Sequence, residues 1–178
     1  YDALFHDSKN IGILFTYKEL DCENKTTIKL NQNTNKVQKT PSVSVIGAGN
    51  YAKRILIPYL SKTNANLQTI FSRNGFDSTL IAQRFKFKQS STNLNNIWED
   101  SLTNTVFILT RHDSHAEYIL KALNSGKNVF VEKPICINEK QLTLISEAYQ
   151  KSRTDDGKGP LLMVGFNRRF SNLTQILK

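Results

Sequence analysis

Residues 42–52 read SVSVIGAGNYA, an apolar, β-branched run that stops at a glycine-rich turn. The turn places Gly47, Gly49 and Ala52 at the spacing G-x-G-x-x-A, between a predicted strand and a predicted helix. Gly47 allows a tight turn, Gly49 lets the backbone approach a pyrophosphate, and Ala52 allows the helix to pack closely on the strand. The segment therefore predicts a dinucleotide-binding βα turn, and the alternative is an ordinary glycine turn.

The composition is typical of a globular protein. Hydrophobic residues make up 39% of the 178 residues and charged residues 22%. No apolar run approaches the roughly 20 residues that cross a bilayer, and the start at Tyr1 shows no export signal. We therefore expect a cytoplasmic fragment of a longer protein with no membrane partner. Cys22 and Cys136 are far apart in the sequence, which favours two reduced thiols.

The net charge is +9, from 24 basic and 15 acidic residues. This charge favours anionic ligands in general. The basic residues are spread along the chain without a basic helix or a stacking motif, so we expect no nucleic-acid partner. The oligomeric state is left open, and a homo-oligomer is compatible with the sequence.

From residue 42 onward, strand and helix patterns alternate. Strands are predicted at 43–46, 67–71, after 85–87, and at 105–109, 128–131 and 161–166; helices at 50–62, 77–84, 93–98, 114–125 and 138–152. Repeated β–α units with short links predict a Rossmann-type, doubly wound parallel sheet, an α/β fold, over residues 41–178. We expect Pro58 to disturb the first helix, and Ser114 with Glu117 to form a capping box on the fourth.

Residues 1–40 read differently from the rest. They contain two short strand patterns, at 11–17 and 26–30, and then a polar linker from Asn31 to Lys39. Nothing here carries catalytic chemistry. The segment is predicted to be an appended hairpin or the trailing edge of an upstream domain.

The residues after the second strand of the Rossmann region bear on cofactor choice. A Rossmann domain that binds NAD usually has an acidic residue there for the ribose 2′-hydroxyl, and this chain has Ser72-Arg73-Asn74. Ser72 and Arg73 can bind a 2′-phosphate that a carboxylate would repel, which favours NADP over NAD. The alternative is that Arg73 is a solvated turn residue.

The loop that follows the next long strand is rich in polar groups. It contains Thr110, His112, Asp113, Ser114 and His115. Contiguous residues rarely form a hydrolase triad, and two histidines are too few for a zinc site, so no metal is expected. We expect this loop to lie over the cofactor; the alternative for His115 is simple packing.

Charged groups also follow the last two strands. Glu132 and Lys133 come directly after an apolar strand, and Pro134 restricts the backbone that carries Lys133. Lys133 could hydrogen-bond a substrate hydroxyl or assist its proton transfer, and the alternative is a surface Lys–Glu pair. Arg168 and Arg169 reach the same sheet edge, where they could meet anions or acidic side chains.

Taken in order, the glycine turn, the 110–115 loop, the 126–134 segment ending in Glu-Lys-Pro and the segment 165–170 resemble the Gfo/Idh/MocA family over residues 42–178. The resemblance implies hydride transfer between NAD(P) and a sugar, polyol or nucleotide-sugar. It places Gly47, Gly49, Asn50 and Tyr51 at the pyrophosphate and Ser72 and Arg73 at the ribose. It also implies that Thr110, His112 and His115 lie near the nicotinamide, Glu132 beside the cofactor's reacting end, and Lys133 there as the catalytic residue.

The resemblance also implies a second domain. In that family a second α/β domain follows and builds most of the substrate pocket, so a chain ending at Lys178 is expected to be a cofactor domain that turns over little alone. The segment 12–17 is similar to the tail of a zinc-alcohol-dehydrogenase-like module, an arrangement associated with surface-polysaccharide biosynthesis. The rival hypothesis is a non-catalytic NAD(P)-sensing or interaction domain.

Overall fold

The computed structural model describes residues 25–30 and 40–176. Seven strands lie in this part of the chain: β1 (Thr27–Lys29), β2 (Ser42–Ile46), β3 (Asn66–Phe71), β4 (Gln89–Ser91), β5 (Thr105–Ile108), β6 (Asn128–Glu132) and β7 (Leu162–Gly165). The predicted strand at 11–17 and the predicted linker lie outside the described residues.

Helices connect the strands. After a π-helical turn at Ala52–Leu56 they are α1 (Ile57–Leu60), α2 (Gly75–Phe85), α3 (Asn95–Trp98), α4 (His115–Asn124), α5 (Glu139–Lys151) and α6 (Asn172–Ile176). Short 3₁₀ turns at His112–Ser114 and Asn167–Phe170 precede α4 and α6. Each predicted helix is present, with ends that differ by a few residues from those predicted.

The sheet has the order β1-β4-β3-β2-β5-β6-β7. All neighbouring strands are parallel except β1, which pairs antiparallel with β4. The direction of strand progression reverses between β2 and β5, so a crevice opens beyond the carboxyl ends of these two strands. The predicted α/β sheet with Rossmann-type topology is confirmed.

Apolar clusters cover both faces of the sheet. One contains Val43 and Val45 of β2 with Ile57 of α1, and the other contains Ile108 of β5 with Ile119 of α4. All five residues of β2 are buried, because helices cover both of its faces. The glycine-rich turn is therefore held by the most deeply buried strand of the sheet.

The disturbance expected at Pro58 takes the form of the π-helical turn before it. Proline has no N–H to donate, and its ring clashes with the carbonyl of the residue four positions earlier. Here the backbone N–H of Ile57 donates to the carbonyl of Ala52, five residues earlier, which widens the helix just ahead of the proline. The first helix continues past Pro58 only as one short α turn.

The strand β1 belongs to the same sheet as the Rossmann strands. It lies within the predicted segment 26–30 and is bonded to β4 in the register Thr27 to Ser91. The division of the chain at residue 41 remains a prediction. Residues 27–29, which precede it, are hydrogen-bonded into the seven-stranded sheet. In the described ranges, no helix combines the length and apolar character needed to cross a membrane.

Candidate functional site

The crevice begins at the turn after β2. Gly47 has φ +111°, and a Cβ there would lie 2.6 Å from the carbonyl oxygen of Leu109, so only glycine fits. Gly49 is exposed, and a Cβ built on it meets no atom within 4 Å. The fold therefore does not need a glycine at 49, and the open space in front of it is available to a ligand that approaches the backbone closely.

A cavity of about 470 Å³ lies over this turn. Its lining combines the glycine turn, the end of β3 and the start of the 110–115 loop: Gly47, Ala48, Gly49, Phe71, Ser72, Arg73, Leu109, Thr110, Arg111, Asp113, Ser114 and Tyr118. The guanidinium groups of Arg73 and Arg111 have no hydrogen-bond partner or ion pair within the described residues. This cavity thus presents, beside a glycine-rich turn, two arginine side chains that are unpaired in the part of the chain that the structure describes.

A larger cavity of about 980 Å³ lies at the ends of β5, β6 and β7. It is lined by Tyr51, Leu109, Thr110, His112, Glu132, Lys133, Gly165, Phe166, Asn167, Arg168, Arg169 and Thr174. Leu109 and Thr110 line both cavities, so the two adjoin at the end of β5. An extended ligand can therefore reach from the glycine turn to the end of β6.

Three polar side chains form a network on one wall of the larger cavity. The Nδ2 of Asn167 donates to the Oη of Tyr51 and to the Oε1 of Glu132, both at 2.8 Å. Burial, then the negative charge of Glu132 and a hydrogen bond to it, raise the pKa of the Tyr51 phenol, which stays protonated at neutral pH. The network links the glycine turn, β6 and the exit of β7.

Lys133 lies at the end of β6 beside this network. Its side chain is exposed and lines the larger cavity. It makes no hydrogen bond or ion pair with any residue in ranges 25–30 and 40–176. The alternative interpretation, a surface pair of Lys133 with Glu132, is not formed within the described residues, where the Glu132 carboxylate accepts from Asn167. The ammonium group is thus available to a ligand.

His115 lies below the crevice and lines neither cavity. Its ring is completely buried, with Nδ1 2.7 Å from the carbonyl oxygen of Pro134 and Nε2 3.2 Å from that of Thr110. The ring therefore holds the backbone after Lys133 against the end of β5. The ring centroid of His112 lies 5.7 Å from that of His115, and His112 lines the larger cavity; the placement of His115 near the nicotinamide remains a prediction.

The predicted capping box at Ser114 is wrong. Ser114 makes no side-chain cap on α4, since its hydroxyl bonds to the Oγ1 of Thr110 and the carbonyl of Arg111 within a 3₁₀ turn. By contrast, α5 has a side-chain N-cap, since the Oδ1 of Asn138 accepts from the backbone N–H of Gln141 at 2.9 Å. The hydroxyl of Ser114 thus stabilises the loop rather than the helix.

The structure brings most of the predicted site residues together. Nine of the eleven line one of the two cavities, whereas Asn50 is exposed, His115 is buried, and neither of these two lines a cavity. The sequence reasoning missed Tyr118 in the smaller cavity and Asn167 in the larger one. Asn167 could have been suspected, because it stands between the last strand and Arg168. Within the described residues, no cluster of His, Cys, Asp and Glu side chains could hold a metal ion.

Replacing His115 by Leu should lower the free energy of unfolding by about 2 kcal/mol or more. The substitution removes both ring nitrogens, so the carbonyl that accepts the ring N–H in the tautomer present, that of Pro134 or that of Thr110, loses its donor. Urea unfolding measures the loss, and His115→Gln, which keeps one donor, should recover part of it. Equal stability of His115→Leu and the unsubstituted chain would contradict this role.

Comparison with known proteins finds related oxidoreductases. A family model described as an oxidoreductase family with an NAD-binding Rossmann fold matches residues 42–159. Oxidoreductase P35 of Formosa agariphila is 35% identical over 109 residues, which cover 61% of this chain and 34% of that protein. The scyllo-inositol 2-dehydrogenase (NAD(+)) of Bacillus subtilis is 30% identical over 90 residues, covering 51% of this chain and 25% of that protein.

Solved structures show the same fold. The 3-ketoreductase KijD10 from Actinomadura kijaniata, in complex with TDP-benzene and NADP, superimposes with a TM-score of 0.69 at 24% identity. The match covers 78% of this chain and 42% of KijD10. This chain thus spans only a quarter to two fifths of the length of these three proteins.

Proposed function

Because the chain belongs to the Gfo/Idh/MocA family of oxidoreductases, we propose that it forms the cofactor-binding part of an enzyme that transfers hydride between a nicotinamide dinucleotide and a sugar, polyol or nucleotide-sugar. The observation that carries this proposal is the pair of adjoining cavities. One contains the glycine turn and the other contains the free ammonium group of Lys133. Together they provide one continuous site with separate binding and reacting ends.

The residues of the smaller cavity fit the phosphate-bearing half of such a cofactor. Gly47 is required by the turn itself, whereas the space in front of Gly49 is clear of protein atoms. A pyrophosphate would contact the backbone of this turn, with Tyr51 and Asn50 flanking it. The adenosine ribose would lie by Ser72 and Arg73, and Thr110 would span both halves.

The residues of the larger cavity fit the reacting half. A bound nicotinamide would supply the acceptor or donor of hydride at this place. The ammonium group of Lys133 would hydrogen-bond the substrate oxygen and hold or release its proton at Nζ. Glu132, fixed by Asn167, would orient the cofactor's reacting end, and His112 would close the side next to β5.

The choice between NADP and NAD rests on the end of β3. Ser72 and Arg73 follow β3 where an acidic residue would favour NAD, and Arg111 adds a second free cation to the same cavity. We infer that the chain prefers NADP. Asp113 lines the same cavity, and Asp77 accepts a hydrogen bond from Asn74 beside Arg73, so the preference depends on the two arginines outweighing these two carboxylates.

Replacing Arg73 by Ala should weaken NADPH binding about tenfold and leave NADH binding within about twofold. The reason is that only NADPH carries a 2′-phosphate for the guanidinium group. Isothermal titration with both cofactors measures the two affinities. The control is Arg84→Ala, since Arg84 is an exposed arginine near the far end of α2. A parallel loss of both affinities in Arg73→Ala would contradict the assignment.

The substrate class follows from the relatives. A dehydrogenase of a polyol is among the curated proteins that match, and KijD10 was solved with a thymidine-diphosphate ligand. We propose a polyhydroxylated substrate that enters the larger cavity from the side of Arg168. Measuring NADPH oxidation by the whole protein that carries this chain, against ketones of nucleotide-sugars and of free polyols, tests this proposal.

A further inference from the structure

The strand β1 is joined to the loop that faces the adenosine ribose. Its partner β4 ends at Ser91, which is 2% exposed and pairs with Thr27 on one side and Phe71 on the other. The backbone N–H of Ser72 donates to the carbonyl of Ser91 at 3.2 Å. Ser72 is the first residue of the loop 72–74, here called the ribose loop. It is thus hydrogen-bonded to Ser91, the residue that pairs with Thr27 of β1.

The side chain of Ser91 strengthens this connection. Its hydroxyl oxygen lies 3.1 Å from the carbonyl oxygen of Thr26 and 3.0 Å from that of Asn93, either of which can accept its one proton. It also lies 3.3 Å from the Oγ1 of Thr27 and accepts from the Nδ2 of Asn96 at 3.0 Å. Asn96 also donates to the Oγ1 of Thr27. One buried hydroxyl therefore ties β1, β4 and α3 together directly behind the ribose loop.

The next residue makes a second connection. The backbone N–H of Thr92 donates to the carbonyl of Thr26 at 2.8 Å, and its methyl group lies 3.1 Å from the position of a Cβ on Gly75. Gly75 begins α2, directly after the ribose loop. A movement of residues 91 and 92 away from β1 would therefore change the hydrogen bond to Ser72 at one end of the segment 72–75 and the contact with Gly75 at the other.

We propose that residues 26–28 determine cofactor specificity indirectly, by positioning Ser72 and Arg73 for the 2′-phosphate of NADP. This inference rests on the proposed function. An arginine on a loose loop neutralises a phosphate less well than one whose backbone is fixed, because ordering it on binding costs conformational entropy. The pyrophosphate turn is held by the buried strand β2 and does not depend on β1.

The hydrogen-bond pattern of β1 supplies a matched pair of variants. The backbone N–H of Leu30 donates to the carbonyl of Lys88, and the N–H of Thr92 donates to the carbonyl of Thr26. Because hydrogen-bonded and non-hydrogen-bonded pairs alternate along an antiparallel ladder, Ile28 and Ser90, which lie between these two pairs, form a hydrogen-bonded pair. Ile28→Pro removes a cross-strand hydrogen bond. Lys29→Pro is the control, because the N–H of Lys29 points away from β4.

The test is to measure the affinities of NADPH and NADH for the unsubstituted chain and both variants by isothermal titration. Ile28→Pro should weaken NADPH binding about tenfold and NADH binding about twofold or less, and Lys29→Pro should leave both nearly unchanged. Equal loss of both affinities in Ile28→Pro, or no loss, overturns the proposal. Failure of the unsubstituted chain to bind either cofactor would instead overturn the proposed function.

A second variant covers the case in which Ile28→Pro fails to fold. Asn96→Leu removes the amide that bridges Thr27 and Ser91 and leaves every backbone hydrogen bond of β1 in place. It should weaken NADPH binding about threefold with little change for NADH. An unchanged ratio of the two affinities in Asn96→Leu overturns the proposal.

Discussion

Replacing Lys133 by Met is expected to slow hydride transfer by about a hundredfold or more while leaving NADPH affinity within about twofold. Methionine keeps the length and most of the volume of the side chain but cannot donate or accept the proton of a substrate oxygen. Lys133 makes no contact that holds the fold, since its side chain is exposed and unpaired within the described residues. The loss should therefore fall on turnover rather than on binding or stability.

The measurement is single-turnover oxidation of NADPH by the whole protein that carries this chain, alongside fluorescence titration of NADPH. Lys140→Met is the matched control, because Lys140 is an exposed lysine on α5 and lines neither cavity. Turnover within a few-fold of the unsubstituted protein in Lys133→Met would remove Lys133 from the mechanism. It would also favour the alternative of a cofactor-sensing domain.

Replacing Gly49 by Val is expected to weaken NADPH binding by about a hundredfold or more and to leave thermal stability almost unchanged. A Cβ at this position meets no protein atom within 4 Å, so we expect the valine side chain to extend into the open space proposed for the pyrophosphate. Calorimetry of NADPH binding and a thermal melt, done on the same sample, measure the two effects.

Gly47→Ala provides the contrast. A Cβ at Gly47 would lie 2.6 Å from the carbonyl oxygen of Leu109 in a backbone conformation that favours glycine. This variant should lose about 3 kcal/mol of unfolding free energy as well as NADPH binding. If Gly49→Val binds NADPH as tightly as the unsubstituted chain, the pyrophosphate does not lie at this turn.

The parallel strands could be predicted from sequence because burial on both faces leaves a direct signature. The segment 106–109 reads as a continuous apolar run, and 43–46 is apolar apart from Ser44; both overlap neighbouring central strands of the sheet. The alternation of these runs with helical patterns predicts a Rossmann-type, doubly wound parallel sheet. The buried strand β2 directly precedes the glycine turn. It therefore both fixes the position of the turn and supplies the sequence context in which the glycine motif is interpreted.

The role of β1 could not be predicted in the same way. Its pattern indicates a strand, but nothing in three residues says which strand it pairs with. The pairing depends on free backbone groups along the outer edge of β4, more than 60 residues away. The sequence therefore predicts only an appended hairpin or the trailing edge of an upstream domain, and the pairing of residues 27–29 with β4 is seen only in the structure.

The polar contacts of the site also depend on tertiary structure. Tyr51 and Asn167 are 116 residues apart and meet only because the glycine turn and the exit of β7 share one sheet edge. The capping box failed for a local reason: the hydroxyl of Ser114 has a nearer partner in Thr110. The burial of His115 depends on the position of Pro134, which sequence spacing does not give.

The central claim is that one nicotinamide dinucleotide spans the two cavities. A crystal structure of the chain soaked with NADPH tests it most directly. The predicted result is a pyrophosphate against Gly47 and Gly49, a 2′-phosphate beside Arg73, and the nicotinamide next to Lys133. A dinucleotide bound elsewhere on the sheet, or one whose nicotinamide lies away from Lys133, would contradict the account.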